Sequence, residues 1–351
     1  MRTEFKRVLR SHATRYPLME PQDYGKLAYQ NHFGAEHLVS DEEQMLRRIR
    51  AEWEQISPEH PHRTPEWIGG GLCRFYLNHE VEKDVAAQVL VKLFCMTGKE
   101  GAAQAETFAD KLSELEKLPV PGMGEWLAQY RAAGCPAVRH SERYREAYRP
   151  HYRLLRCEYA AAFLALLEIA KLLKKKGRVV VAIDGRCGSG KSTLARLMEQ
   201  VFSCNVFHMD DFYLPVGQRA ENWLEIPGGN MDLTRFRREV LESVFGGQAV
   251  SYRPFDCTAG ECAPARCVEP TALTVIEGSY SHHPALEGEY DLKLFVTCDK
   301  QEQLRRLKLR EGDYFPTFER LWMPLEEQYI RLCGIENSDA LTVDTGVSFE
   351  F

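Results

Sequence analysis

Residues 179–194, V-V-V-A-I-D-G-R-C-G-S-G-K-S-T-L, decide the fold of this chain. A run rich in β-branched residues ends in Gly185, four residues separate it from Gly190-Lys191-Ser192, and a helix-forming segment follows. A strand, a glycine-rich loop and a helix in that order are the context that the phosphate-binding loop pattern requires. The stretch therefore predicts a loop that binds the phosphates of a nucleotide.

The residue types in this loop suit phosphate binding. Its glycines adopt backbone angles closed to residues with a Cβ, so successive N–H groups can turn towards phosphate oxygens at the positive end of a helix. Lys191 is expected to reach the β- and γ-phosphates, and Ser192 is expected to offer its hydroxyl to Mg²⁺. The predicted nucleotide-binding residues are Gly185, Gly188, Ser189, Gly190, Lys191, Ser192 and Thr193.

Length and charge bound the class of protein. A chain of 351 residues suggests about two domains, and a hydrophobic fraction of 44% is ordinary for a globular protein. The net charge of −6 argues against a general nucleic-acid binder, because phosphate backbones require a basic surface. We expect a small-molecule partner, with no nucleic acid and no membrane, and the sequence leaves a homo-oligomer open.

The N-terminus, the apolar segments and the cysteines indicate the compartment. The N-terminus, M-R-T-E-F-K-R-V-L-R, is charged and has no apolar core, so no signal peptide is expected. The longest apolar stretch, 159–173, contains Glu168 and Lys171 and is shorter than the roughly 20 residues that span a bilayer. Eleven cysteines without a paired framework suggest reduced thiols. We therefore expect a soluble, cytoplasmic protein.

The first part of the chain has a helical pattern. Apolar residues recur at helical spacing in segments 41–56, 81–95 and 102–118, so residues 1–150 are predicted to form an all-α domain. A single helix over 154–176 is predicted to bridge into a second domain. The predicted organisation is thus a helical domain at 1–150, a bridging helix at 151–176 and a second domain at 177–351.

The second part has an alternating pattern. Strands predicted at 205–209, 273–276 and 292–297 alternate with helices, one of which is predicted at 300–311. Alternation of this kind predicts an α/β P-loop fold, a mainly parallel sheet with helices on both faces. Ligands of such sheets bind at the carboxyl ends of the strands.

Carboxylates are predicted at two of these strand ends. Asp210 and Asp211 follow the strand of F-H-M-D-D-F-Y, and there they could accept the proton of an attacking hydroxyl or hold magnesium through water. The alternative for this pair is a helix N-cap or a surface acidic pair. Glu277 ends the strand of T-A-L-T-V-I-E-G and is a candidate second group around Mg²⁺, or else an ordinary acidic residue.

The predicted helix at 300–311 carries Arg305, Arg306 and Arg310. Arg306 and Arg310 are four residues apart and share one helix face, from which their guanidinium groups could close over a transferring phosphate as a lid. The alternative is a solvated basic face.

Together these motifs resemble the uridine kinase and phosphoribulokinase-like family of P-loop kinases. The resemblance covers residues 179 to about 331 and rests on G-R-C-G-S-G-K-S, D-D-F-Y, Y-R-P-F-D, I-E-G-S-Y, Q-L-R-R-L-K-L-R-E and W-M-P-L-E-E-Q-Y. It implies a kinase that uses ATP and Mg²⁺ as cofactors. The reaction implied is transfer of the γ-phosphoryl group to a hydroxyl of a nucleoside or other small metabolite.

The resemblance also implies roles for single residues. Asp210 opens the D-x-F-Y motif and would be the catalytic base, and Glu277 would lie near magnesium. Tyr213 would line the acceptor pocket. The residues expected to act in catalysis are Asp210, Lys191, Arg306 and Arg310; those at the metal are Ser192, Glu277 and Asp210; those at the acceptor are Tyr213, Asp211 and Phe255.

The sequence leaves the acceptor open. Uridine kinases place an aspartate after a His-Pro pair to hold the ribose hydroxyls, whereas here Pro227 is followed by Gly228. A nucleotide-sensing regulator and an NTP hydrolase are therefore alternatives to the kinase. The N-terminal part is similar to a helical domain of unknown function that carries an N-x-F-G-x-x-H-L signature, here at 31–38, in which His32 and His37 are candidate ligand-binding residues.

Overall fold

Backbone contacts divide the chain into two units, Met1–Phe163 and Leu164–Val347. The computed structural model describes residues 4–35, 41–60, 62–100, 106–286, 288 and 290–346. The division lies inside the helix Cys157–Lys176, within the segment 151–176 that the sequence predicts to bridge the two domains. Each unit has its own sheet.

The N-terminal unit combines helices with a small sheet. The sheet is antiparallel, with the order β1-β2-β3. Its strands are β1 (Glu66–Gly69), β2 (Leu72–Tyr76) and β3 (Tyr152–Arg156). The helices are α1 (Glu4–Arg15), α2 (Pro21–Phe33), α3 (Glu42–Glu54), α4 (Lys83–Glu100), α5 (Phe108–Leu115), α6 (Met123–Ala132) and α7 (Glu142–Tyr148), and α8 (Cys157–Lys176) begins in this unit.

This sheet corrects two expectations from the sequence. The N-terminal part is not all-α, and residues 154–156 belong to β3, so helix α8 starts only at Cys157. All five residues of β2 are buried, so the strand lacks the alternation of polar and apolar residues that marks a half-buried strand. Its partner β3 lies far along the chain, with Leu72 opposite Arg156, so no hairpin signal joins the two.

A buried charged residue organises the N-terminal sheet. Arg74 of β2 is 0% exposed and lies 3.3 Å from a carboxylate oxygen of Glu66. Its guanidinium also donates to Gln30 Oε1 at 3.0 Å and lies 4.9 Å from the ring centre of Tyr152. The hydroxyl of Tyr76 donates to the same oxygen of Glu66 at 3.1 Å. Each charge in this cluster thus has polar partners, as a buried charge requires.

The N-x-F-G-x-x-H-L signature takes part in the same architecture. Asn31 is buried, and its side-chain amide donates to the carbonyl of Ile68 in β1 at 2.6 Å. His32 lies with its Nδ1 3.4 Å from the ammonium of Lys111 and its ring against Phe108. His37, the other histidine of the signature, lies outside the described residues.

The C-terminal unit is built on a five-stranded parallel sheet. The strand order is β12-β11-β4-β10-β5, and every neighbouring pair is parallel. The strands of this sheet are β4 (Val179–Gly185), β5 (Asn205–His208), β10 (Leu273–Glu277), β11 (Leu292–Thr297) and β12 (Leu341–Asp344). Two small antiparallel pairs are formed by β6 (Val250–Tyr252) with β9 (Arg266–Val268) and by β7 (Phe255–Asp256) with β8 (Glu261–Cys262).

Helices alternate with the strands of this sheet, as the sequence predicts for an α/β P-loop fold. The helix after β4 is α9 (Lys191–Phe202). A longer helical run consists of α10 (Leu233–Phe236), a π-helical turn at Arg237–Leu241 and α11 (Glu242–Gly246). The last helices are α12 (Lys300–Glu311), α13 (Phe315–Thr317), a π-helical turn at Phe318–Trp322 and α14 (Met323–Leu332). In the described part of the chain, no helix has the length and apolarity needed to cross a membrane.

Candidate functional site

The glycine-rich loop connects the central strand β4 to helix α9. Gly185 ends β4 with a φ of 143°, and a Cβ there would lie 2.1 Å from the carbonyl oxygen of Val296 in β11. Gly190 has a φ of 104° and stands directly before Lys191, the first residue of α9. The amides of the first helical turn have no acceptor within the helix. The loop thus has the geometry of a phosphate cradle at a helix N-terminus.

The carbonyl side of the loop is held by the end of the sheet and by α12. Arg306 donates to the carbonyl oxygen of Ser189 at 3.3 Å and to both oxygens of Thr345 at 2.8 Å. The hydroxyl of Thr345 in turn donates to Ser189. Gln303 donates from its side-chain amide to the carbonyl of Cys187 at 2.9 Å. With these carbonyls fixed, the loop conformation is set by the fold itself.

Lys191 lies over the loop. Its side chain is largely buried, and the ammonium donates to the carbonyls of Gly185 at 2.7 Å and Arg186 at 3.1 Å. A third bond reaches the hydroxyl of Ser279 at 3.2 Å. The charge therefore stays at the loop, where sequence analysis places the β- and γ-phosphates.

A chain of polar groups crosses the strand ends from the helix to β5. Ser192 donates from its hydroxyl to Glu277 Oε1 at 3.1 Å, and His208 donates from Nδ1 to Glu277 Oε2 at 2.7 Å. Glu277 is opposite His208 in the pairing of β10 with β5 and is 5% exposed. Burial alone would raise the pKa of Glu277, but the hydrogen bond from His208 and the charge of Lys191 outweigh it and lower that pKa.

His208 responds in the opposite direction. The pKa of its imidazole is raised, first by the hydrogen bond to Glu277 and then by the charges of Glu277, Asp211 and Asp210, against an opposing effect of partial burial. The pair therefore favours an anionic Glu277 beside a cationic His208. No role for His208 was expected from the sequence, although the residue directly precedes the M-D-D-F-Y segment.

Asp210 follows β5 in a 3₁₀ turn, Met209–Phe212, at the same edge of the sheet. Its carboxylate accepts a hydrogen bond from the hydroxyl of Tyr213 at 3.0 Å. The pKa of Asp210 is raised, first by desolvation from the surrounding protein atoms and second by the negative charge of Glu277. Part of the side chain is nevertheless exposed to solvent. A raised pKa makes this carboxylate a stronger base than an ordinary aspartate.

The two remaining candidates for the acceptor lie next to this turn. The carboxylate of Asp211 accepts from the hydroxyl of Tyr252 at 3.3 Å, and its backbone carbonyl accepts from Arg235 at 3.1 Å. Phe255 is half-buried in strand β7, which contacts the Met209–Phe212 turn. Both residues therefore lie near Asp210. The carboxylate and the backbone carbonyl of Asp211 already accept hydrogen bonds within the fold.

Arg306 and Arg310 contact different groups. Arg306 is engaged with Glu302 at 2.8 Å and with the loop and strand-end carbonyls, so its guanidinium lies under the loop. Arg310 is 56% exposed, bonds to Glu311 and lies 5.5 Å from the ring centre of Phe318. The two side chains thus have different partners, and the lid over a transferring phosphate stays a prediction. Thr193 is exposed on the first turn of α9.

Helix α14 contributes contacts that sequence reasoning missed. The carboxylate of Glu326 accepts from the backbone N–H of Cys187 at 2.8 Å and from the hydroxyl of Ser279 at 2.5 Å. The neighbouring Glu327 forms a two-pronged pair with Arg186 at 2.6 and 2.9 Å. The motif W-M-P-L-E-E-Q-Y marked this segment, but only its position in space shows that both acids reach the loop.

Aromatic rings lie beside Tyr213. Its ring centre is 6.5 Å from that of Trp322, and Trp322 is 6.4 Å from Trp223. The guanidinium of Arg219 lies 4.7 Å from the ring centre of Trp223. Nearby residues of the same loop, Leu224 and Ile226, are exposed. The cluster gives the space next to Asp210 an apolar, aromatic wall.

The donor atoms at the strand ends fit magnesium. Mg²⁺ prefers oxygen ligands and is commonly held by one or two carboxylates together with substrate phosphates and water. The hydroxyl of Ser192 and the carboxylates of Glu277 and Asp210 supply such oxygens. Among the described residues, no group of three or more His, Cys, Asp or Glu side chains is arranged as a ready-made metal site.

No protein-family model matches the chain, and no curated protein matches it. Among solved structures, the chain is similar to uridine kinase-like and related P-loop kinases. One is a possible uridine kinase from Bacillus stearothermophilus, with 21% identity over 52% of this chain and 96% of that chain, and a TM-score of 0.41. Another is a proposed fructose transport system kinase from Silicibacter sp. TM1040, with 24% identity over 48% of this chain and 88% of that chain, and a TM-score of 0.38.

Proposed function

We propose that the C-terminal unit is an ATP- and Mg²⁺-dependent kinase that transfers the γ-phosphoryl group to a hydroxyl of a small metabolite. One observation carries the proposal. Ser192 in the first turn of α9 is bonded to Glu277, and the open carboxylate of Asp210 follows the neighbouring strand β5. A phosphate cradle, oxygens that would hold magnesium and a carboxylate that would act as base therefore share one edge of the sheet.

Each residue has a distinct part in this proposal. The loop amides and Lys191 would bind the phosphates of the nucleotide, and Ser192 with Glu277 would hold magnesium. The ion would neutralise charge that develops on the transferring phosphoryl group. Asp210 would accept the proton of the acceptor hydroxyl as that oxygen attacks phosphorus. His208 would keep Glu277 ionised and oriented.

The surroundings of Asp210 support an acceptor that carries a ring. Tyr213 bonds to Asp210 and its ring lies near Trp322, which in turn lies near Trp223, and planar groups stack favourably on such faces. A nucleoside, a vitamin or a cyclic sugar would use this wall. Asp211 and Phe255, which are also expected to contact the acceptor, would lie on the same side of the site as this wall.

The test is magnesium-dependent nucleotide turnover by the purified chain, with and without pooled nucleosides, sugars and vitamins. Asp210→Asn should lower acceptor-stimulated turnover by about 10²–10⁴-fold, because the group that accepts the proton is removed. ATP affinity should stay nearly unchanged in that variant. Asp339→Asn, a change at an exposed aspartate of the same unit, is the matched control and should keep full turnover.

Three results would contradict the proposal. Undiminished acceptor-dependent turnover in Asp210→Asn would remove the base. Turnover that no pool stimulates would point to the NTP hydrolase. Tight ATP binding without turnover in any pool would point to the nucleotide-sensing regulator.

A further inference from the structure

The N-terminal unit contains a cavity of about 310 Å³. It opens between helices α2, α3 and α4 and strand β3. Part of its wall is apolar and buried, formed by Met45, Ile49, Phe94 and Leu154. Cavities of roughly 300 Å³ and more are the size that small-molecule ligands occupy. The cavity lies wholly within this unit, so it is separate from the loop of the C-terminal unit.

Two cations on the wall, Lys26 and Arg48, form no ion pair with a carboxylate in the part of the chain that the structure describes. The ammonium of Lys26 donates to the backbone carbonyl of Val138 at 3.1 Å. Arg48 is exposed at the mouth, and among the residues that the structure describes it forms no ion pair with a carboxylate. Arg47, the preceding residue on α3, instead pairs with Glu43 at 3.6 Å.

The acidic residue of the wall does not balance these charges. The carboxylate of Glu52 accepts from His151 at 3.0 Å and from Arg153 at 2.7 Å. Burial would raise the pKa of Glu52, but these two partners outweigh it and lower that pKa. Glu52 is therefore ionised and already neutralised, and the cavity keeps a positive potential from Lys26 and Arg48.

Burial and neighbouring positive charges disfavour the charged form of Lys26. Burial, together with the charges of Arg74 and Arg139, lowers the pKa of its ammonium to about 8, and the opposing charge of Asp23 does not compensate. An anion placed next to this ammonium would stabilise its charged form. The cavity thus combines an apolar wall with a cation that gains from an anionic partner.

We propose that this cavity binds a small organic anion, with its carboxylate or phosphate at Lys26 and Arg48 and its apolar body against Met45, Ile49 and Phe94. Charge-assisted hydrogen bonds to the anion would fix its orientation, and burial of the body would supply most of the affinity. The inference does not depend on the kinase activity proposed for the other unit.

The first test is calorimetric titration of the full chain with 2-naphthoate, an aromatic carboxylate that does not imitate a nucleotide phosphate. Lys26→Met and Arg48→Gln should each weaken binding about tenfold or more, as expected for loss of one charge-assisted hydrogen bond. Arg47→Gln is the matched control and should bind like the unchanged protein. Arg48 and Arg47 are both exposed, so neither change endangers the fold.

Different probe molecules distinguish the contribution of the ligand's charge from that of its apolar body. Acetate has the charge without the body, and 2-naphthamide has the body without the charge, so both should bind much more weakly than 2-naphthoate. Phenyl phosphate identifies whether a phosphate is accepted in place of a carboxylate. Failure of both aromatic anions to bind would overturn the proposal, as would equal binding of 2-naphthamide or equal binding by the Lys26→Met and Arg48→Gln variants.

Proton uptake gives a second readout that a purely structural effect would not move. At pH 8.5 part of the Lys26 population is neutral, because its pKa is about 8. Binding of an anion there should draw in protons, seen as a dependence of the binding heat on the ionisation heat of the buffer. His140, another titratable group of the wall, has its pKa lowered to about 4 by burial and stays neutral at this pH. Lys26→Met should abolish the uptake; uptake that persists would overturn the assignment of Lys26.

Discussion

The buried charges of the N-terminal unit and the strand-end charges of the C-terminal unit are arranged differently. Arg74 and Glu66 are 0% and 4% exposed, and each is surrounded by polar partners inside the fold. Asp210 and His208, by contrast, keep a solvent-open side, and Lys191 is held mainly by carbonyls of its own loop. A charge whose partners are complete stabilises structure. A charge that remains open at strand ends is available to a ligand.

Arg74→Met should give the largest effect and tests the first half of this comparison. The change removes the buried cation beside Glu66 and leaves the 46% exposed Arg15 as its remaining guanidinium partner, which should cost about 3–5 kcal/mol in free energy of unfolding. Urea denaturation of both proteins measures it. The matched control Arg47→Met alters a 69% exposed arginine and should change stability by about 0.5 kcal/mol or less. Equal stability of Arg74→Met and the parent would mean that the cluster is not structural.

Lys191→Met tests whether the charges at the strand ends of the C-terminal unit are available to a ligand. Removal of the loop cation should lower both ATP affinity and turnover, the latter by about 10²–10³-fold, the loss typical for one preorganised electrostatic group. Titration with ATP and a turnover assay give the two numbers. Lys175→Met, at an exposed lysine of α8, serves as control. ATP affinity retained in Lys191→Met would remove the residue from phosphate binding.

The pH dependence of the free energy of unfolding tests another buried group of the N-terminal unit, His140. Burial, with the charges of Arg74 and Lys26, lowers the pKa of His140 to about 4, against an ordinary value of about 6.5. The unfolded chain therefore binds the proton more tightly, so stability is complete above about pH 6.5 and falls as the pH drops towards 4. The loss should be on the order of 3 kcal/mol at most.

His140→Gln should remove this part of the acid sensitivity. Urea unfolding between pH 7 and 4 would show a flatter profile than that of the unchanged protein, whereas His62→Gln, at a histidine that is 51% exposed, should leave the profile as it is. Below about pH 4, protonation of carboxylates such as Glu66, whose pKa is lowered, adds a separate loss in all three proteins. Identical slopes above pH 4 would contradict the assignment.

Arg306→Gln should give the smallest of these effects. Its bonds to Ser189 and Thr345 are charge-assisted, so their loss should cost about 2 kcal/mol in free energy of unfolding and weaken ATP binding. Arg305→Gln changes the neighbouring arginine, which is 65% exposed and bonds only within its own helix, and should do neither. A loss of turnover in Arg306→Gln with unchanged stability and ATP affinity would instead support the catalytic role inferred from the sequence.

Most of the C-terminal unit could be predicted from the sequence. The glycine-rich loop, the strand Leu292–Thr297 and the helix Lys300–Glu311 all carry strong local patterns, and the structure has them where the patterns lie. Strand β12 was missed, since it is a short edge strand with one buried residue, Val343. The contact of Glu326 with the loop was missed because it depends on how a distant helix packs.

The N-terminal unit was harder to predict because its sheet depends on pairings between distant segments. Arg74 in the middle of β2 interrupts an apolar run, although in the structure it is fully buried and its charge is compensated by Glu66. Gln30 and Tyr152, which complete its surroundings, come from elements far apart in the sequence. A buried ion cluster of this kind leaves no local periodic signal.

The hydrogen bonds of Arg306 and Thr345 to the loop carbonyls would affect the thermodynamics of the nucleotide binding that we propose. Ordering a flexible glycine-rich segment carries a conformational entropy penalty of roughly 1–2 kcal/mol per residue. Since the carbonyl of Ser189 is bonded within the fold, much of that penalty is met when the chain folds and not when a ligand arrives. Association with the loop should then be fast and show little structural rearrangement.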